Sequence, residues 1–291
     1  MRLLRPHTKN SKFLLIELVK RAAEDYSHPP VSKFRVGASA LGKSGAIYLG
    51  ANLEFLGANL AQSVHAEQFT VALMAARGEV GLHSLAITHA PCGHCRQFFQ
   101  EVYGASGMRV VFPGSPAAVL SDLLPAAFTP EDLHGDDPPL VMKGVAFDLV
   151  PTARQSIDAD ADPVAAAALD AARNCHAPYT NCPSGVALRF DDGSIFAGAY
   201  YECAAYNPSL PPMQAAIVAA VADGVAIPDE RDEPSGRWLR IVDAVLCEIA
   251  DAPVSQRSPT ETVLRSLVEH GPQAPAGDDG VMLRVIDVAI R

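Results

Sequence analysis

Apolar and polar positions along the first 112 residues alternate between a helical and a strand period. Between 13 and 26, Leu14, Leu15, Leu18, Val19 and Ala22 recur at helical spacing, which predicts an amphipathic helix ended by His28-Pro29-Pro30. Two β-rich runs follow, at 36–41 and 46–49. The turn residues Gly42-Lys43-Ser44-Gly45 between them predict a hairpin. A second helix is expected over 64–77, stopped by Gly78, then a buried strand at 84–88, a helix at 93–102 and a strand at 108–112. Strands alternating with helices predict an α/β fold with a mixed sheet between helical layers.

The second half of the chain repeats this pattern. Residues 26–54 align without a gap on 174–202, at an offset of 148, so that Gly37 falls on Gly185, Gly45 on Gly193, Gly50 on Gly198 and His28 on His176. Continuing that offset sets Met213 opposite His65 and Ala215 opposite Glu67. Further on, Ala252-Pro253-Val254 resembles Ala90-Pro91-Cys92, with Arg257 where Cys95 would fall. Two stretches read as linkers: the acidic, proline-rich 129–139, and 156–163 with its three aspartates. An Ala-rich helix at 164–173 opens the second half. The expected domains are 12–155 and 163–291, the second a degenerate repeat of the first.

Bulk properties narrow the field. With 291 residues, 49% of them hydrophobic, the chain can bury one large core or two ordinary ones. The net charge of −10 and the lack of a polybasic run argue against a nucleic-acid partner. No stretch approaches the roughly 18 uncharged apolar residues of a membrane helix, and the first residues carry no apolar leader run. The expectation is a cytoplasmic protein with reduced thiols, where a Cys-x-x-Cys pair serves metal or redox chemistry more often than a structural disulfide.

The chemistry concentrates in His65-Ala66-Glu67 and, two dozen residues later, Pro91-Cys92-Gly93-His94-Cys95. Alone, the cysteine pair also fits a redox couple or half a structural zinc site, and His65-Ala66-Glu67 alone fits a plain surface helix. Together they form the known H-x-E…P-C-x-x-C order of zinc nucleobase deaminases. His65, Cys92 and Cys95 supply three protein ligands, which leaves the open position of a catalytic zinc rather than the closed set of a structural one. His94, inside the Cys-x-x-Cys, should point away from the metal. Glu67, two residues past His65, should lie beside the open position and shuttle protons.

At these residues the chain resembles the cytidine deaminases of the two-domain, dimeric class. The matching segments include Phe34-Arg35-Val36-Gly37-Ala38, Gly50-Ala51-Asn52-Leu53-Glu54-Phe55, Val64-His65-Ala66-Glu67-Gln68, Ala90-Pro91-Cys92-Gly93-His94-Cys95-Arg96-Gln97 and Leu123-Leu124-Pro125-Ala126-Ala127-Phe128. The resemblance implies two cytidine-deaminase-like domains, one zinc per chain, and hydrolysis of free cytidine or 2′-deoxycytidine in pyrimidine salvage. It implies that Phe34 stacks on the pyrimidine, that Asn52 and Glu54 bind the ribose 3′-hydroxyl, and that the backbone of Ala66 and Ala90 reads the base edge. Phe128 would close over the ligand, and Ala205 and Tyr206 would reach the partner subunit's pocket in a homodimer with composite sites. Relatives with three thiolate ligands resemble Cys-Ala-Glu-Arg at 65–68. The neutral His65 and neutral Gln68 found here therefore read as a charge-balanced pair. The rival readings are a deaminase of another cytosine substrate or of tRNA or single-stranded DNA, and a non-catalytic zinc-stabilised binding module.

Overall fold

The computed structural model describes residues 9–144, 146–152, 161–227, 237–270 and 281–291. By contact the chain divides into two units that are not simply its two halves. The first comprises 9–53, Val64–Gly144 and Glu202–Ser209; the second comprises Glu54–Ser63, 146–201 and the described part of Leu210–Arg291. Each unit thus contains a short segment from the other half of the sequence.

In the first unit, α1 (Lys9–Tyr26) leads into the hairpin β1 (Gly37–Gly42) and β2 (Ile47–Ala51), followed by α2 (Ala66–Ala76), β3 (Leu82–Ile87), α3 (Gly93–Phe98), β4 (Arg109–Val111), β5 (Ala118–Val119), α4 (Leu120–Leu123) and α5 (Pro130–His134). The sheet order is β2-β1-β3-β4-β5, with β3 and β4 parallel and the other pairs antiparallel. The second unit holds β6 (Leu149–Pro151), α6 (Pro163–Arg173), β7 (Ser184–Phe190), β8 (Ile195–Ala199), α7 (Pro212–Ala222), β9 (Val225–Ala226), β10 (Arg237–Trp238), β11 (Ile241–Ile249), α8 (Arg257–Glu269) and β12 (Leu283–Ile290). Its main sheet runs β8-β7-β11-β12-β6, again with one parallel pair, β11 and β12. Four strands of each sheet match in order and direction, down to a register shift at the equivalent end of β1 against β3 and of β7 against β11, while the fifth differs: β5 follows β4 in the chain, and β6 precedes α6.

The repeated glycines have a physical reason. A Cβ on Gly37 would strike the Val19 carbonyl and lie 2.6 Å from Ala23 N; on Gly185 it would strike Ala172 N and lie 2.5 Å from Ala168 O. The helix backbone rides directly on the first hairpin strand in both units, and only glycine permits that approach. Gly50 and Gly198 do the same under α2 and α7: a Cβ on Gly50 would lie 2.6 Å from Ala66 O, and one on Gly198 2.5 Å from Pro212 O.

Three readings of the sequence need correction. The stretch 129–139 is not a linker. Thr129 and Asp132 form a reciprocal cap around Pro130, which makes α5 a helical turn of the first unit. The chain then returns to that unit through a bridge between Val102 and Val141. The strand β6 pairs with β12, so the second unit starts before the expected boundary of 155. Most of the other expected linker, 156–163, lies outside the described residues. Finally, the repeat offset falls from 148 to 146 beyond the hairpin, because the segment 202–209 is two residues shorter than 54–63: Tyr201 bridges Leu210 as Leu53 bridges Val64. The N-cap His65 of α2 therefore corresponds to the N-cap Pro211 of α7, and Glu67 to Met213. The reactive residues remain absent from the second repeat.

Replacing Gly37 or Gly185 by alanine forces backbone against backbone, where no side chain can yield. Each substitution should destabilise the protein by at least the upper end of the usual overpacking range, about 3 kcal/mol. Urea unfolding of either variant checks this; an unchanged midpoint would show that the helices can move off the sheet at little cost.

Candidate metal and active site

Two helix starts supply the ligands. His65 caps α2 with extended backbone, and Gln68, at the third helical position, closes a capping box by accepting a hydrogen bond from His65 N at 3.3 Å. Cys92 caps α3, and Cys95 lies in its first turn. The Nδ1 of His65 stands 3.5 Å from Cys92 Sγ and 3.3 Å from Cys95 Sγ. A tetrahedral zinc, with Zn–S of about 2.3 Å and Zn–N of about 2.0–2.1 Å, holds its nitrogen and sulfur ligands roughly 3.5 Å apart. Both N–S separations are close to that spacing. These three are the residues whose ligand atoms converge among the described residues. The ring of His94 lies nearly parallel to that of His65, at 5.0 Å between centroids, outside the ligand set.

The electrostatics point the same way. Cys92, held by the Cys95 thiol against the opposing effect of burial and helped by His65, has its thiol lowered to about 3. Cys95, buried and facing the Cys92 sulfur, is raised well above the usual thiol value. Without a cation the two sulfurs compete for one proton; a dication among them lets both be thiolates. Glu67 is buried, and burial raises its carboxyl, opposed by its own backbone N–H and by His65. A carboxyl in that state can both accept and return a proton.

The remaining expected site residues are placed as follows. Asn52 and Glu54 lie just past the end of β2, partly buried on either side of the buried Leu53, so the expected alternation holds although the strand has ended. Asn52 already uses its side chain: Oδ1 accepts from Val36 N at 2.9 Å and Nδ2 donates to Phe34 O at 2.8 Å. One donor and one acceptor of the amide remain. Glu54 opens the segment that clusters with the second unit. Phe34 is 53% exposed, and its ring packs on His89 at 4.5 Å. Ala66 is buried at the first position of α2, where helix geometry leaves its N–H without a helical acceptor. Ala90 is exposed, beside the buried Pro91. Phe128 is exposed, while its carbonyl accepts from Gln97 Nε2 at 2.6 Å. Ala205 and Tyr206 are exposed on the 202–209 segment, with Tyr206 in the left-handed region at φ 59°.

Sequence reasoning gave no role to His89, Arg96 and Gln97. Arg96 donates to Pro91 O at 2.8 Å and to Leu123 O at 2.7 Å, so it ties the cysteine loop to the stretch that ends in Phe128. The signal for Arg96 and Gln97 was their place in the run after Cys95. His89 had none beyond standing three residues before Cys92.

Three ligands, an open position and a buried proton-carrying carboxyl on an α/β sheet define a zinc hydrolase. Comparison with known proteins makes the class specific. Residues 9–112 and 120–261 each match a family described as the cytidine and deoxycytidylate deaminase zinc-binding region. A cytidine deaminase of Sodalis glossinidius is 42% identical over 252 residues, covering 85% of this chain and 78% of its own. That of Klebsiella pneumoniae is 39% identical over 258 residues, covering 89% and 79%. A crystal structure of cytidine deaminase from Mycobacterium tuberculosis aligns at 31% identity over 42% of this chain and 98% of its own, with a TM-score of 0.37. The chain belongs to the cytidine deaminase family. It is a hydrolase acting on C–N bonds, with zinc as its metal and two deaminase-like α/β units.

Because Pro211 and Met213 stand where His65 and Glu67 would be, metal analysis of the purified protein should find one zinc per chain. Cys95→Ala should reduce it to near zero. Two tightly held zincs per chain would show that the second repeat retains a site.

Proposed function

We propose that the chain hydrolyses free cytidine and 2′-deoxycytidine to the uracil nucleosides and ammonia, as a step of pyrimidine salvage, through a catalytic first repeat that carries the metal cluster and a non-catalytic second repeat. The observation that carries this reading is the buried carboxyl of Glu67 beside the converging His65, Cys92 and Cys95. When bound, zinc supplies the Lewis acidity that makes water a nucleophile near neutral pH. Glu67 does the proton work. It takes a proton from the attacking water as oxygen bonds C4, and delivers it to ring N3. It then takes the remaining hydroxyl proton and gives it to the exocyclic nitrogen as the C–N bond breaks. Cytidine and water become uridine and ammonia, and Glu67 ends as it began.

Substrate recognition follows from the surrounding side chains. Phe34, backed by His89, offers an exposed aromatic face for the base. The N–H of Ala66 and the backbone of Ala90 are suited to the base edge. The unused donor and acceptor of Asn52, with Glu54, are suited to the ribose 3′-hydroxyl. Phe128, its backbone held by Gln97, would cover the ligand. The net charge of −10 suits a free nucleoside better than a polynucleotide. The six cysteines form no disulfide, which suits a cytoplasmic setting, and no helix of the described residues is long and apolar enough to cross a membrane. In a homodimer, the exposed Ala205 and Tyr206 would complete the partner's site.

Glu67→Gln should retain zinc, since Glu67 is not a ligand. It should lose turnover beyond the roughly 10²–10⁴-fold of simple acid–base loss, because one group serves several transfers. Near-normal turnover would remove the mechanism. Rates with cytidine, deoxycytidine, cytidine monophosphate and adenosine, side by side, should favour the first two; preference for the nucleotide would move the substrate class.

A mixed dimer tests the composite site. One subunit carries Glu67→Gln and the other Tyr206→Ala. If Tyr206 acts across the interface, one site in each mixed dimer is fully normal. If the mixture shows only the Tyr206→Ala defect, or the protein is a monomer, the composite arrangement is wrong.

A further inference from the structure

The side chain of Gln68 has two jobs. Its Oε1 accepts from the backbone N–H of the metal ligand His65. Its Nε2 donates to Pro208 O at 2.9 Å, and the residue is almost fully buried. Pro208 belongs to Glu202–Ser209, the segment that the second repeat contributes to the first unit. The same segment also grips the cysteine side of the site. Ala204 N donates to the buried Glu101 at 2.7 Å, and the Cys203 thiol lies 3.9 Å from Gln97 O. Both contacts fall on the helical stretch that begins at Cys92. Ser209 braces the segment internally: its hydroxyl accepts from Cys203 N at 3.0 Å and donates to Tyr206 O at 2.6 Å.

The second unit contains the same contact without a metal site. At the corrected offset of 146, Gln68 corresponds to Gln214 and Pro208 to Gln62. There Gln214 Nε2 donates to Gln62 O at 3.2 Å and to Gln62 Oε1 at 2.6 Å. The segment Glu54–Ser63 is the one that the first repeat contributes to the second unit. The N-cap of α7 is Pro211, which has no N–H, and Gln214 Oε1 finds no hydrogen-bond partner among the described residues. The donor half of the glutamine is thus common to both repeats, and the acceptor half works only where the N-cap residue is a zinc ligand.

We infer that Gln68 is a positioning residue that couples the Glu202–Ser209 segment to His65, so that the repeat lacking its own chemistry holds the first repeat's zinc ligand in place. Groups that orient a metal ligand typically change metal affinity by roughly 10–100-fold when removed. The test reads zinc release to an excess of a coloured chelator, on full-length protein without substrate, so its outcome is separate from the identity of the nucleoside. Gln68→Met, neutral and similar in size, should speed release about 10-fold or more. Ser209→Ala touches neither ligand nor helix, and should speed release several-fold by loosening the segment. The double variant should release zinc no faster than Gln68→Met alone, because both act through one contact. Gln214→Met, which removes the matching contact in the second unit, should leave release unchanged. Should Gln68→Met fail to fold, Ser209→Ala and Gln68→Glu, which keeps the acceptor and loses the donor, carry the test. Wild-type release from Ser209→Ala, multiplying effects in the double variant, or equal acceleration by Gln214→Met would each overturn the coupling.

Discussion

Zinc ligation here requires two helix starts to hold still at the same time. His65 is the N-cap of α2 and Cys92 the N-cap of α3, and neither residue is inside an element whose own hydrogen bonds would fix it. Ligand atoms 3.3–3.5 Å apart tolerate little drift. The surrounding structure reads as a set of restraints on those two points. Gly50 lets the first turn of α2 sit on β2, and Thr70 bonds back to Ala66 O at 2.7 Å. Arg96 reaches back across its own helix start to Pro91 O, which keeps the Cys92 loop closed on itself. The deeply buried side of the site then faces Glu67, and low dielectric there keeps its carboxyl ready to carry a proton.

The metal cluster was legible in the sequence because it depends on residue types at short spacings. His65, Glu67, Cys92 and Cys95 lie on two helix starts, and local signals set helix starts: Gly78 after the first, Pro91 before the second. The glycine repeat was legible for a related reason, since glycine at a close backbone approach has no substitute. What the sequence concealed was non-local. The membership of 54–63 and 202–209 in the opposite units depends on contacts made far along the chain, and nothing in their composition marks it. The capping box of Thr129 and Asp132 was hidden inside a stretch whose prolines and acids read equally well as a linker. The strand β6 is three residues long, too short for a period to register. The two-residue shortening of 202–209 misaligned the second repeat, because the gapless match of the hairpins gave no reason to expect a break after them.

The misalignment had a chemical consequence. At an offset of 148, Gln68 falls opposite Ala216, and its neutrality reads as charge balance for a site with two thiolates and a histidine. At 146 it falls opposite Gln214, in a unit with no cluster of metal ligands among its described residues. A residue found in both places needs an explanation that holds in both, and charge balance holds in only one. The contact to the incoming segment holds in both.

The two repeats together separate packing from chemistry within one chain. Shared between them are the glycines under the helices, the order of four sheet strands and the glutamine at the third helical position. Lost from the second are His65, Glu67 and both cysteines: Pro211 and Met213 stand at the matching positions of α7, and Gln256 caps α8 where Cys92 caps α3. There the loop before α8 is held differently: the Glu248 carboxylate accepts from Gln256 N at 2.8 Å and from the Ser255 hydroxyl. A proline at the N-cap of α7 costs that helix nothing, since its first N–H groups have no helical acceptor in any case. It does remove the N–H that the glutamine oxygen would otherwise engage. That oxygen is therefore the part of the side chain whose partner disappears together with the metal ligand, while the amide keeps its partner in both units. The division of labour within one glutamine side chain thus follows the division between the repeats: the amide serves the fold, and the oxygen serves the metal site.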